Sequence, residues 1–130
     1  MTVSLLVITH NHIGQELIDT ATSIVGSTAL EIDFVSVSAQ LKPHDLGRYA
    51  DQIKNTITAL DIGNGILILT DICGATPYNL AKYFATDKNI KIVSGINLPM
   101  LLRVLNYSNQ SLHDLSLTAI EGGHKGVIQD

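Results

Sequence analysis

His10 stands directly after the apolar run Val3 to Thr9, and Asp71 directly after a second such run, Gly65 to Thr70. A neutral imidazole is nucleophilic near neutral pH, and a carboxylate held against its other ring nitrogen fixes tautomer and orientation. A pair of this kind can take a group onto nitrogen and hand it on. Taken singly, a strand-end histidine is more often a solvent-facing residue, and an aspartate there is as often a turn or capping residue. It is their joint placement that points to covalent transfer.

The loop that follows Asp71 reads Ile72-Cys73-Gly74-Ala75-Thr76-Pro77. Small residues lead into a helix whose start is marked by Thr76 as N-cap and Pro77 at the first helical position. Free N–H groups and the helix dipole at such a start favour an anion, so Gly74, Ala75 and Thr76 are candidates to hold a phosphoryl group. Capping alone would also explain Thr76. Cys73 shows no neighbour that would activate a thiol and reads as a small packing side chain. His12 lies two residues from His10, where side chains of an extended segment diverge, and no third ligand accompanies them; no metal is expected. His44, His113 and His124 read as solvent-facing.

These residues need elements to position them. Val3 to Thr9 and Gly65 to Thr70 are continuous apolar runs, the pattern of strands buried on both faces. Leu30 to Ser38 is less continuous and reads as an edge strand, and Ile90 to Ser94 as a fourth strand. Between them, Ile13, Leu17, Ala21, Ile24 and Val25 recur at helical spacing up to Gly26. Leu46, Ala50, Ile53, Ile57 and Leu60 mark an amphipathic helix opened by Pro43. Leu80, Ala81 and Phe84 mark the helix after Thr76. Asn97-Leu98-Pro99 opens another through Leu105, and Ser111 with Asp114 caps a last one, followed by a short glycine-rich tail from Gly122.

Strands alternating with helices imply an α/β fold: an open, mainly parallel sheet with helices on both faces. With the two buried strands central, the order is 2-1-3-4, and it reverses between the first and third strands. Ligands of open α/β sheets bind outside the carboxyl ends of the strands at such a reversal, where His10 and Asp71 both fall.

A length of 130 residues suits one domain, 1–130, and 45% apolar against 15% charged residues suits a packed core. The mean hydropathy of +0.26 is high for a small domain and points to a subunit interface. A net charge of -4 without basic runs argues against nucleic acid as a partner. One cysteine and no apolar stretch of membrane-spanning length fit a cytoplasmic protein.

Three stretches, Val-Ile-Thr-His10, Asp71-x-x-Gly-Ala-Thr-Pro-Tyr-Asn79 and Gly95-Ile-Asn97-Leu-Pro-Met100, resemble the mannose-type enzyme IIA domains of the bacterial sugar phosphotransferase system, in order and nearly end to end. The resemblance implies that His10 accepts a phosphoryl group from HPr and passes it to a histidine of an enzyme IIB domain, with Asp71 orienting the ring and no bound cofactor. It implies that Thr76 and nearby amides contact the phosphoryl group, and that membrane permease components act downstream. It also implies a homodimer whose C-terminal segments pair across the interface, with Gly126 to Ile128 as a short antiparallel edge strand. Two positions depart from the pattern: Asn11 and Ala75 stand where the family usually has glycine. The phosphotransfer subunit of dihydroxyacetone kinase is a lesser resemblance. Two other functions remain open at this point: a regulatory module in which phosphorylation of His10 controls a partner protein, and a domain that binds a small anion without forming phosphohistidine.

Overall fold

In the computed structural model, which describes residues 2–86 and 89–130, the two continuous apolar runs form the centre of the sheet. Strand β1 (Ser4–His10) and strand β3 (Ile66–Thr70) are buried along their length, apart from His10 itself. Strand β2 (Ile32–Val37) pairs with β1 on one side, and β4 (Ile90–Ser94) pairs with β3 on the other. All pairings are parallel, giving the order β2-β1-β3-β4. The register sets His10 opposite Val37, and Ile8 opposite Thr70, so the C-terminal tips of β1 and β3 end side by side.

Alternate residues of each central strand feed two separate cores, as the two-residue repeat of a strand requires. Leu5 and Val7 of β1 with Leu67 and Leu69 of β3 face helices α1 (Ile13–Val25), α4 (Leu98–Asn106) and α5 (Leu112–Lys125). Leu6 and Ile8 with Ile66 and Ile68 face helices α2 (Leu46–Leu60) and α3 (Thr76–Phe84). Parallel strands joined by crossover helices place every βα turn at one edge of the sheet. The N-termini of α1, α3 and α4 therefore gather around the tips of β1, β3 and β4.

Several local expectations need correction. A 3-10 turn (Pro43–Asp45) precedes α2, and the buried face of α2 is led by Tyr49, Ile53 and Leu60 while Leu46 is exposed. Tyr49 escapes an apolar pattern because its phenol oxygen needs a partner; it accepts the N–H of Ser38 at 3.2 Å. In α1 the packed stripe is Leu17, Ile18, Ala21 and Val25, which leaves Ile13 and Ile24 exposed. The segment from Gly122 is helix and not tail: α5 runs to Lys125, with Gly122 and Gly123 buried. A Cβ on Gly122 would sit 2.6 Å from Cβ of Arg103, and one on Gly123 would sit 2.8 Å from Cε of Met100. The bare backbone is what lets α5 lie on α4. Beyond α5, Gly126 to Ile128 form no strand, and Val127 and Ile128 are exposed.

Candidate functional site

The site is built on the turn between β1 and α1. Thr9 is buried, and its hydroxyl works in both directions, accepting the N–H of Gly14 at 2.8 Å and donating to the His10 carbonyl at 3.2 Å. Gly14 must be glycine: an added Cβ would lie 2.8 Å from Cγ1 of Val7, so the first turn of α1 rests directly on the strand. Asn11 then reverses the chain with a φ of +48°. Its N–H donates to the Val37 carbonyl at 2.8 Å, and its Oδ1 accepts the N–H of Ala39 at 3.0 Å.

Asp71 arrives from the tip of β3. Its Oδ2 lies 2.7 Å from Nδ1 of His10 and also accepts the His10 backbone N–H at 3.0 Å, while its Oδ1 accepts the N–H of Ile72 at 3.0 Å. Burial pushes the carboxyl toward its neutral form. The hydrogen bonds and charge of His10, with the Ile72 N–H, outweigh that and hold Asp71 below its ordinary value of 3.8. At neutral pH Asp71 is therefore a carboxylate, which can only accept. In the neutral imidazole Nδ1 must then carry the ring proton, which leaves the lone pair on Nε2. The His10 side chain is 27% exposed and that of Asp71 only 13%, so the imidazole is open to solvent while its partner is screened.

The loop after Asp71 is arranged differently from the sequence-based expectation. Ala75, not Thr76, is the N-cap of α3, and Thr76 is the first helical residue; no side chain caps this end. Ala75 has an extended backbone that lacks a hydroxyl, so the amides at the start of α3 are left without a side-chain acceptor. Gly74 has a φ of +88° and open space where a Cβ would be. Asn79 closes the loop, donating from Nδ2 to the Gly74 carbonyl at 3.1 Å. No hydrogen bond joins Thr76 to His10. Cys73 is exposed, and the next tip, β4, is tied back through Ser94, whose hydroxyl lies 2.9 Å from that of Thr70.

His12 is the exposed residue that precedes α1, and His44, His113 and His124 are exposed as well. Among the described residues no group of three or more histidines, cysteines or acids could hold a metal ion. No helix of the described residues is long and apolar enough to cross a membrane. Sequence reasoning missed Thr9, and it singled out Asn11 only as a departure from the family's usual glycine, not as the residue that turns the chain. A threonine closing an otherwise aliphatic strand was the available signal for the first, and an asparagine beside the candidate nucleophile, at a point where the chain must turn, for the second.

A model of the EIIA-man family, described as PTS system fructose IIA component, matches residues 4–120. The chain is 28% identical over 132 residues to the PTS system mannose-specific EIIAB component of Escherichia coli K12, covering 98% of this chain and 39% of that protein. It thus spans about two fifths of that relative's length. Over a shorter stretch of 42 residues it is 50% identical to the PTS system fructose-specific EIIA component of Bacillus subtilis, covering 32% of this chain and 29% of that one. Two solved structures share the fold. The phosphotransferase system component EIIA of Streptococcus agalactiae aligns with a TM-score of 0.80 at 23% identity, over 98% of this chain and 96% of that one. The mannose/sorbose specific IIA subunit of Enterococcus faecalis aligns with a TM-score of 0.80 at 24% identity, over 100% of this chain and 96% of that one. With nearly its whole length matched by one family model and its fold shared with IIA proteins, the chain belongs to the EIIA-man family of phosphotransferase system IIA components.

Proposed function

We propose that the chain is a cytoplasmic phosphoryl carrier that takes a phosphoryl group from HPr onto Nε2 of His10 and passes it to a histidine of an enzyme IIB for sugar uptake through membrane permease components. The observation that carries this reading is the 2.7 Å contact between His10 Nδ1 and Asp71 Oδ2, which leaves Nε2 as the free nucleophile. In the transfer, an N–P bond forms at Nε2 while the donor's bond to phosphorus breaks and its electron pair stays with the donor. The ring becomes cationic, keeps its Nδ1 proton, and is balanced by the Asp71 carboxylate. Transfer to the acceptor is the same exchange in reverse, so no general acid is consumed and no cofactor is needed.

The phosphoryl oxygens would be received by the uncapped amides around Gly74, Ala75 and Thr76 and by the Thr76 hydroxyl, in the positive field at the start of α3. Two exposed apolar side chains lie close in sequence to the pair: Ile13, three residues after His10, is 47% exposed, and Ile72, next to Asp71, is 58% exposed. Such side chains suit brief docking of successive protein partners. The exposed apolar tail at Val127 and Ile128 and the free edge of β4 suit a homodimer.

The reading is tested by intact mass after mixing the chain with phosphoenolpyruvate, enzyme I and HPr. An acid-labile phosphoryl adduct on the wild type and none on His10→Ala is expected. No adduct on the wild type, with HPr itself phosphorylated, would overturn it.

A further inference from the structure

Asn11 is the one non-glycine residue with positive φ among the described residues, at +48°. Asparagine is, after glycine, one of the few residues that adopt this region at little cost. Its backbone N–H extends the β1–β2 ladder to Val37, and its Oδ1 takes the Ala39 N–H, so the residue fastens the tip of β1 to two points of the segment leaving β2. β1 lies between β2 and β3. Asp71 holds His10 from the β3 side, and Asn11 holds the following peptide from the β2 side.

The remaining freedom of this turn is small. Downstream, α1 is fixed by the Gly14 N–H on Thr9, and the same hydroxyl donates to the His10 carbonyl. With both ends held, any rotation about the N–Cα bond of Asn11 must be absorbed by the peptide plane joining His10 to Asn11. That rotation would carry the His10 carbonyl, and with it the imidazole, away from Oδ2 of Asp71.

We propose that Asn11 is a positioning residue, whose left-handed backbone, a conformation glycine also supplies, keeps the His10 ring on Asp71 in the Nδ1–H tautomer with Nε2 outward, the Oδ1 bond to Ala39 helping an asparagine hold it. The proposal rests on the reading of His10 as the phosphoryl acceptor. Asn11 acts only through the peptide of His10 and, by this account, makes no contact with the transferred group.

Three variants separate the two contributions. Asn11→Gly keeps the positive φ and removes the Oδ1 bond; Asn11→Asp keeps both; Asn11→Ala disfavours the first and removes the second. The readouts are the 15N shifts of the His10 imidazole in the unphosphorylated protein, and kcat and KM with phosphorylated HPr, with thermal melts to establish that each variant is folded. The wild type and Asn11→Asp should show the Nδ1–H tautomer. Asn11→Gly should keep the Nδ1–H tautomer and the wild-type kcat, whereas Asn11→Ala should populate the Nε2–H tautomer and lose about tenfold in kcat. KM should stay within about twofold for both. A folded Asn11→Ala protein with the wild-type tautomer and kcat, a change confined to KM, or an Asn11→Gly protein as impaired as Asn11→Ala would overturn the proposal. If the tautomer shifts as stated but not even the wild type takes up phosphate, the positioning of His10 stands and the phosphocarrier reading falls.

Discussion

A single oxygen, Oδ2 of Asp71, receives both the ring Nδ1 and the backbone N–H of His10, at 2.7 Å and 3.0 Å. Because one atom serves both groups, the ring cannot turn about its χ angles without leaving an acceptor that the backbone keeps in place. The carboxylate thus sets the tautomer and the aim of the imidazole at once.

Asp71→Asn retains shape but replaces the acceptor-only carboxylate by a neutral amide. Without the charge that balances a phosphorylated ring, and with the tautomer no longer enforced, phosphoryl transfer to His10 should fall about a hundredfold or more. Single-turnover mixing with phosphorylated HPr reads this directly, and a rate within threefold or so of wild type would remove Asp71 from the mechanism.

The same carboxyl predicts an acid limit to stability. Its pKa is lowered in the folded state, so its contribution is fully present above the ordinary carboxylate range and is lost as pH falls through the depressed folded value. Thermal melts of wild type and Asp71→Asn should differ most near neutral pH, and the two midpoints should converge in strong acid. A gap that widens on acidification would contradict the assignment.

Thr76 offers a separation of roles. No side chain caps α3, so Thr76→Val should leave the melting midpoint almost unchanged. If its hydroxyl meets the phosphoryl group, transfer should still slow by about tenfold. Loss of stability with normal transfer would instead make it a purely structural residue.

Asn97 joins two helices. Its Oδ1 accepts the N–H of Met100 at 2.9 Å as the N-cap of α4, and its Nδ2 donates to the Gly123 carbonyl of α5 at 3.1 Å. Asn97→Ala should cost about 2 kcal/mol in urea unfolding, the sum of a cap and a part-buried bond. Asn97→Asp keeps the cap and should cost about half as much. Equal costs for the two would mean that the cap contributes nothing, and an Asn97→Asp protein as stable as wild type would mean that the link to Gly123 contributes nothing.

The sheet was legible because β1 and β3 are buried on both faces and therefore read as unbroken aliphatic runs; their central place then follows, and with it the meeting of His10 and Asp71. Local rules failed where a contact distant in sequence decides the outcome. Glycine normally ends a helix, yet Gly122 and Gly123 continue α5 because Arg103 and Met100 leave no room for side chains. Thr76 is the better capping residue, but the turn from Gly74 sets Ala75 in the extended conformation a cap requires. The double use of Asp71 Oδ2 depends on a parallel register that no spacing along the chain encodes.

The glycines of α5 carry one more consequence. Each lowers the helical stability of an isolated segment by about 1 kcal/mol, so the last turn of α5 has no independent reason to be ordered. Its amides should therefore exchange with solvent not as a fraying end but together with those of α4, in one cooperative opening whose free energy is set by the contact between the two helices. Loosening α4 at Pro99 or Met100 would release the end of α5 with it, and so shift the point at which the C-terminal segment becomes free.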